Sequence, residues 1–299
     1  MSLDIAANSP ITITPCQPHI GAEIGGVDLS RPLSPEVAEA IRAASLKYQV
    51  IVFRDQNITR EQHVAFAHLF VRDRQHPFVL YPDQAHPIPD FPELLHVYAD
   101  GITKTAVDIW HTDDCFRLCP ATVGILRARV VPSLGGDTVF SSAVAAYAGL
   151  PEEVKQKIRY LKAWHSTVYS RRNKAHSGSN LFDYDKNDEL HAADPPVAQP
   201  VVRIHPETRK PALYVNEGLS GEIIGLDAEE DARLRAYLYD QIKKPDYQMR
   251  LRWAPHTIVV WDNRSVQHYA IGDYNEPRMM ERIAVTGTEP CIGFADIGE

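Results

Sequence analysis

Two short stretches of this 299-residue chain carry side chains that could bind a redox-active metal. The first, Trp110-His111-Thr112-Asp113-Asp114, contains His-x-Asp. In an extended chain, residues i and i+2 face the same way, so His111 and Asp113 can both reach one ion. The second runs from Ile258 to Ala270 (IVVWDNRSVQHYA), an apolar strand entering a polar turn that presents His268. Alone, His-x-Asp is a common dipeptide pattern, and a histidine after a strand is more often a structural hydrogen-bonder than a ligand. Taken together, two imidazoles and one carboxylate form the facial triad of non-haem iron(II) oxygenases, which leaves three octahedral positions open for a co-substrate and O2. The histidines come from distant parts of the chain, so sheet closure must bring them together.

Downstream of His268 stand Arg278 and Arg282, four apart and therefore on one side of a regular strand. A dicarboxylate co-substrate needs a cation for its far carboxylate, and a guanidinium supplies a two-pronged fork. The alternative is two surface arginines beside Glu276 and Glu281. Two other functions fit the same histidines and aspartate: a zinc hydrolase with a bound water, or a non-catalytic cupin-like binding protein. The hydrolase gives Arg278 no task, and the three intact ligands weigh against a binder that has lost its chemistry.

The elements around these residues are mostly short strands. Apolar or alternating runs predict strands at 11–16, 21–29, 50–53, 94–98, 123–131, 161–168, 201–204, 212–215, 247–253, 257–261 and 282–286. Ser34-Pro35 reads as N-cap and first helical residue of a helix to about Lys47. Thr59-Arg60-Glu61-Gln62 reads as a capping box opening a helix to about Phe70. Further helices are expected over 151–160 and 228–242. The stretch 72–92, rich in proline, histidine and aspartate, reads as an active-site loop, and the polar stretch 170–200 as an irregular insertion or lid. The sum is a mainly β fold, an antiparallel double sheet with α-helices packed outside, in one domain spanning 1–299.

Composition narrows the partners. A net charge of −8 argues against nucleic acid and anionic membranes, which need a basic face. An anionic substrate must therefore be attracted by local arginines. No signal peptide or membrane span is legible, which predicts a cytoplasmic protein. Cys115 and Cys119 are spaced C-x3-C with no second pair nearby, so reduced thiols are expected for them, Cys16 and Cys291.

Further stretches complete a pattern: P-S-L-G-G-D-T at 132–138, L-Y-V-N-E-G at 213–218 and W-D-N-R-x-x-x-H-Y-A at 261–270. With W-H-T-D at 110–113 they follow one order along nearly the whole chain. The sequence thereby resembles the taurine dioxygenase family, which also contains aryloxyalkanoate and alkylsulfatase dioxygenases. The resemblance implies a double-stranded β-helix (jelly-roll) core. It implies Fe(II) on His111, Asp113 and His268, with 2-oxoglutarate and O2 as co-substrates and succinate and CO2 as co-products. Thr138 and Arg278 match the pair that holds the far carboxylate of 2-oxoglutarate. Arg282 matches an arginine near both the substrate's anionic group and the co-substrate's inner carboxylate. His76 of His76-Pro77 matches a substrate contact, and Tyr81 lies in the same loop. The implied substrate is a small anion: taurine or another sulfonate, a sulfate ester, an aryloxyalkanoate or another carboxylate. A homo-oligomer, dimer or tetramer, is implied as well.

There are departures from that pattern. Val107 replaces a substrate-contacting asparagine, and Phe70-Val71 replaces a common Phe-Gly. The turn at Tyr274–Glu276 is one residue shorter. Asp114 stands where the family has an apolar residue beside the substrate's anionic group; a carboxylate there repels an anion unless it turns away or is paired.

Overall fold

In the computed structural model, residues 11–81, 88–102, 108–169 and 195–298 are described. The first half builds one side of a large sheet. Strands β1 (Thr12–Pro15), β2 (Ala22–Gly25) and β3 (Val50–Phe53) are joined through helix α1 (Pro35–Tyr48). Ser34 caps α1 by accepting from the Val37 amide, with Pro35 in the first turn. Helix α2 (Arg60–Ala67) opens on a reciprocal capping box between Thr59 and Gln62 and closes in a 3-10 turn to Phe70. Strands β4 (Leu95–Ala99) and β5 (Val123–Val130) follow. Next come β6 (Thr138–Ser142), α3 (Ala143–Ala148), α4 (Glu152–Ile158) and β7 (Lys162–His165). The second half holds β8 (Val197–Pro200), β9 (Val202–Ile204), β10 (Pro211–Leu213), β11 (Ser220–Ile223) and α5 (Ala228–Ile242). It ends with β12 (Gln248–Leu251), β13 (Ile258–Asp262), β14 (Val266–Ala270) and β15 (Arg278–Val285).

The large sheet has the order β1-β2-β3-β13-β5-β15-β4, antiparallel except for β2 with β3. Strand periodicity sorts its side chains into two cores. Ile51, Phe53, Ile125, Ile258, Val260, Ile283 and Val285 pack under α1 and α2. Val50, Val52, Ala128, Val259, Trp261 and Met280 face the three-stranded sheet β12-β6-β14, meeting Phe140, Met249, Leu251 and Val266. Two smaller sheets, β11-β7-β8 and β10-β9, close the other side with α3, α4 and α5. This is the expected mainly β arrangement, with α-helices packed against the outside of the sheets. No helix of the described residues is long and apolar enough to cross a membrane.

Some expected elements are placed differently. His268 does not lie in a polar turn; it is the centre of strand β14, paired on both sides. The turn lies earlier, at 262–265, where the Ser265 amide donates to the Asp262 carbonyl. Strand β6 and helix α3 were not foreseen, because Ser141 and Ser142 look like loop residues. Ser141 donates to the Ile242 carbonyl, and Ser142 donates to the Gln49 side chain while capping α3. Within the expected irregular stretch 170–200, residues 170–194 lie outside the described part, but Val197–Pro200 form β8 on the edge of β7.

Candidate metal centre and active site

The segment 110–113 is held between two backbones. At the free edge of β14, His111 and His268 exchange backbone hydrogen bonds of 3.0 and 2.8 Å. The Thr112 hydroxyl donates to the Val266 carbonyl at 3.0 Å. From the opposite side, the Gly218 amide donates to the Trp110 carbonyl at 2.9 Å. The Asn216 amide group reaches Cys115 Sγ at 3.4 Å. A Cβ on Gly218 would stand 3.1 Å from His111 Cβ and would press on it by a few tenths of an ångström, so the small residue suits this close approach. The histidines therefore meet through a single antiparallel bridge at a sheet edge, not through barrel closure.

This pairing brings His111, Asp113 and His268 together, with one ligand atom from each lying within 4.8 Å of the others. Asp113 Oδ1 is 3.8 Å from His111 Nε2 and 3.9 Å from His268 Nε2. His111 Nδ1 lies 2.7 Å from the Ile109 carbonyl. A carbonyl only accepts, so Nδ1 carries the proton and Nε2 keeps a lone pair for a metal. The His268 ring is wedged between Trp261 and Phe140, with centroids at 5.1 and 5.9 Å. Trp261 reaches that position because β5 has Gly124 beneath it, where a Cβ would fall 2.3 Å from the indole. Burial, then the neighbouring His111, push the His268 imidazole down to about 3, so it is neutral and able to ligate. Burial by itself would raise the Asp113 carboxyl, but the Arg282 guanidinium beside it holds it at about 2. Asp113 Oδ2 is buried and has no hydrogen-bond partner. A buried, unsatisfied carboxylate oxygen beside two imidazoles is the donor set that a divalent cation completes. It is the one group of this kind among the described residues.

Arg282 lies against this centre on β15. Its Nη1 donates to Asp113 Oδ1 at 2.5 Å and its Nη2 to the Tyr81 hydroxyl at 2.7 Å. Tyr81 comes within reach because its loop is pinned to β15: Phe78 bridges Val285, and the Val79 amide donates to the Ala284 carbonyl. The Tyr81 hydroxyl donates in turn to Asp114 Oδ2 at 2.7 Å, and Arg117 Nε holds Asp114 Oδ1 at 3.1 Å. Asp114 is thus paired on both oxygens and 5% exposed. Burial works against the Arg282 charge, but Asp113, Tyr81 and Asp114 together raise its pKa, so it stays a cation.

A second group sits at the other end of β15. Arg278 is 3% exposed, and its Nε is buried without a partner. No carboxylate among the described residues pairs with it. Its guanidinium lies over the Trp253 ring at 5.9 Å, and the Trp253 N–H donates to Thr138 Oγ1 at 3.0 Å. That bond occupies Thr138 as acceptor and leaves its O–H free to donate. The Tyr274 hydroxyl is also buried and unpartnered. Tyr274 and Arg278 flank Gly136, whose added Cβ would stand 3.2 Å from Tyr274 Cδ1 and 3.4 Å from Arg278 Cδ. Donors without an acceptor mark this as a place for an anion. Arg278 is buried and the Arg282 side chain is only 14% exposed, so the surface alternative does not describe them.

Not every candidate is drawn in. The His76 side chain is 80% exposed and faces Asp73 at 3.7 Å; its loop is anchored at Phe78 and Val79. Val107 lies outside the described residues. Trp253 and Tyr274 were not legible as site residues, because nothing in their spacing links them to Thr138. The W-D-N-R stretch has a structural task. Arg264 makes a two-pronged pair with Asp262, which also meets His205 at 2.9 Å, and Arg264 reaches Glu207 at 2.6 Å. This network fixes the turn that crosses from the large sheet into β14.

Known proteins share this arrangement. The profile of the "Taurine catabolism dioxygenase TauD, TfdA family" matches residues 12–284. An alpha-ketoglutarate-dependent sulfate ester dioxygenase of Pseudomonas putida is 32% identical over 94% of this chain and 91% of its own. An (S)-phenoxypropionate/alpha-ketoglutarate-dioxygenase of Sphingobium herbicidovorans is 31% identical over 92% and 94%. Among solved structures, a taurine dioxygenase from Burkholderia xenovorans superposes with TM-score 0.79 at 29% identity, covering 95% of this chain and 91% of that one. AAD-2 in complex with Mn(II) and N-oxalylglycine superposes with TM-score 0.78 at 33% identity, covering 94% and 99%. The matched span, the jelly-roll core and the His-Asp-His group agree: this chain belongs to the TauD/TfdA family and is an oxidoreductase of the 2-oxoglutarate-dependent dioxygenase class.

Proposed function

We propose that this enzyme hydroxylates a small anionic organic molecule, with His111, Asp113 and His268 holding Fe(II) and Arg278, Thr138 and Tyr274 holding the far carboxylate of 2-oxoglutarate. The observation that carries the reading is the pair of unmet demands among the described residues: a buried carboxylate oxygen on Asp113, and buried donors on Arg278 and Tyr274 with no acceptor. Iron(II) with 2-oxoglutarate and O2 supplies the oxidation, giving succinate, CO2 and a hydroxylated substrate carbon. The protein's share is geometry and charge. Ile109 fixes the His111 tautomer, and Arg282 orients Asp113 while presenting positive charge to the substrate. Where the hydroxylated carbon bears sulfur, oxygen or nitrogen, the product collapses to a carbonyl and a leaving group.

The substrate classes in view are sulfonates, sulfate esters, aryloxyalkanoates and other small carboxylates. Relatives named for sulfate esters, sulfonates and phenoxyalkanoates support that range. One domain over 1–299, a cytoplasmic location and a dimer or tetramer belong to the same reading, supported by a large sheet uniting residues 12 to 285 and by the family resemblance.

The test is anaerobic titration of Fe(II) and 2-oxoglutarate followed by visible absorbance, then a substrate panel scored for succinate. A weak charge-transfer band that disappears on admitting O2 is expected, with succinate formed in step with one substrate class. A tightly held zinc and no such band would instead favour the hydrolase.

A further inference from the structure

Asp114 poses a specific problem. It follows a residue of the His-Asp-His group, it carries a negative charge, and on the reading above it borders the binding place of an anion. Its geometry is deliberate: φ is +54°, a left-handed conformation that aspartate tolerates better than most side chains. This turns the carboxylate toward Arg117 on one oxygen and Tyr81 on the other.

The hydrogen bonds at Tyr81 decide what this arrangement does. A phenol has one proton to donate and lone pairs to accept with. Tyr81 gives its proton to Asp114 Oδ2 and accepts from Arg282 Nη2, both at 2.7 Å. What remains for a third group is a lone pair. An anionic oxygen placed beside Tyr81 meets acceptor against acceptor, whereas an N–H, an O–H or an apolar group does not.

We propose that Asp114 is a specificity-determining residue that acts through Tyr81: by taking the hydroxyl proton it removes a donor from the pocket wall and leaves the substrate's anionic group to Arg282. This rests on the reading that the substrate binds beside Arg282. The penalty falls hardest on the anion with most oxygens to satisfy. A sulfonate or sulfate carries three terminal oxygens and a carboxylate two, so the arrangement favours carboxylates over sulfonates of the same carbon frame. Loss of the Asp114 charge alone would favour every anion alike. The effect of the proton, by contrast, requires the Tyr81 hydroxyl.

The experiment is a double-mutant cycle on the iron- and 2-oxoglutarate-loaded enzyme without O2. Calorimetry measures the Kd of propionate and of ethanesulfonate for the wild type, Asp114→Val, Tyr81→Phe and the double variant. Thermal unfolding of each checks folding, and Asp114→Ala repeats the arm if the valine variant is unstable. The expected result is that Asp114→Val tightens ethanesulfonate about tenfold more than propionate, the worth of one hydrogen bond to a charged group, and that Tyr81→Phe abolishes this difference. Equal tightening with and without the hydroxyl, or for both anions, would overturn the role of Asp114 while leaving the substrate's position intact. No binding of either anion to any variant would overturn that position, and the proposal with it.

Discussion

Gly218→Ala tests whether the turn behind His111 sets the metal site. The new Cβ would lie 3.1 Å from His111 Cβ, 3.2 Å from the Trp110 carbonyl oxygen and 3.3 Å from Ile109 Cγ2. Ordinary carbon contacts begin at about 3.5 Å, so His111 and its neighbours must withdraw by roughly 0.3 Å or more. Metal–ligand distances tolerate only about 0.2 Å. The displaced Ile109 also carries the carbonyl that holds His111 Nδ1, so ring and tautomer are disturbed together. Disturbing such a support costs about 10- to 100-fold in metal affinity, which is about 1.4–2.7 kcal/mol. Crowding should also destabilise the fold by about 1–3 kcal/mol. The assay is anaerobic calorimetry with Fe(II) or Co(II), with metal-free thermal unfolding beside it. Gly272→Ala, which meets nothing within 4 Å, is the control and should leave both unchanged. A folded Gly218→Ala protein with wild-type metal affinity would refute the reasoning.

Other outcomes follow from the buried charges. Arg278→Leu removes a guanidinium with no carboxylate partner among the described residues, so the 2-oxoglutarate-free protein should gain stability of about 1–2 kcal/mol while KM for 2-oxoglutarate rises far more than KM for substrate. A lowered Tm, or equal rises in both KM values, would count against that assignment. Burial pushes His63 and His165 down to about 3 from an ordinary value near 6.5. The unfolded chain therefore takes up their protons first on acidification. Stability is at its plateau above pH 6.5 and falls as pH drops from 6.5 toward 3, by up to about 1.4 kcal/mol per pH unit for each histidine. His63→Leu should flatten the dependence of Tm on pH between 6.5 and 5, and an unchanged slope would exclude His63 as a source. Arg264→Ala leaves Asp262 buried beside His205 alone and should cost about 3–5 kcal/mol in urea unfolding; a loss under 1 kcal/mol would mean that the network does not hold the turn.

The chemistry in this chain was legible because its side chains are unusual in kind and placement. His111, Asp113 and His268, with Arg278 and Arg282, could be singled out by what a metal and a dicarboxylate require, whereas Thr138 entered only through the family resemblance. Helix ends were legible too: Ser34-Pro35 and Thr59–Gln62 act within one turn of backbone, so local sequence contains the whole cause. Strand β14 was not legible, because its residues serve other strands. Gln267 donates to the Val215 carbonyl, and His268 faces the metal centre, so the apolar alternation that announces a strand is missing. The same holds for β6, whose serines look like loop residues until Ile242 and Gln49 supply their partners.

What the tertiary structure alone decided is partnership. A sequence can show that Asp114 is an acid next to Asp113, but not that Arg117 and Tyr81 occupy both of its oxygens. It can show His76 next to a proline, but not that the loop is anchored two residues later and leaves the imidazole in solvent. Nor can it show that Tyr274 and Arg278 both pack against Gly136, from a part of the chain far away in sequence. The physical reason is range: propensity and capping act over one helical turn, whereas the charge and hydrogen bonding of a site are set by groups from strands far apart in the chain.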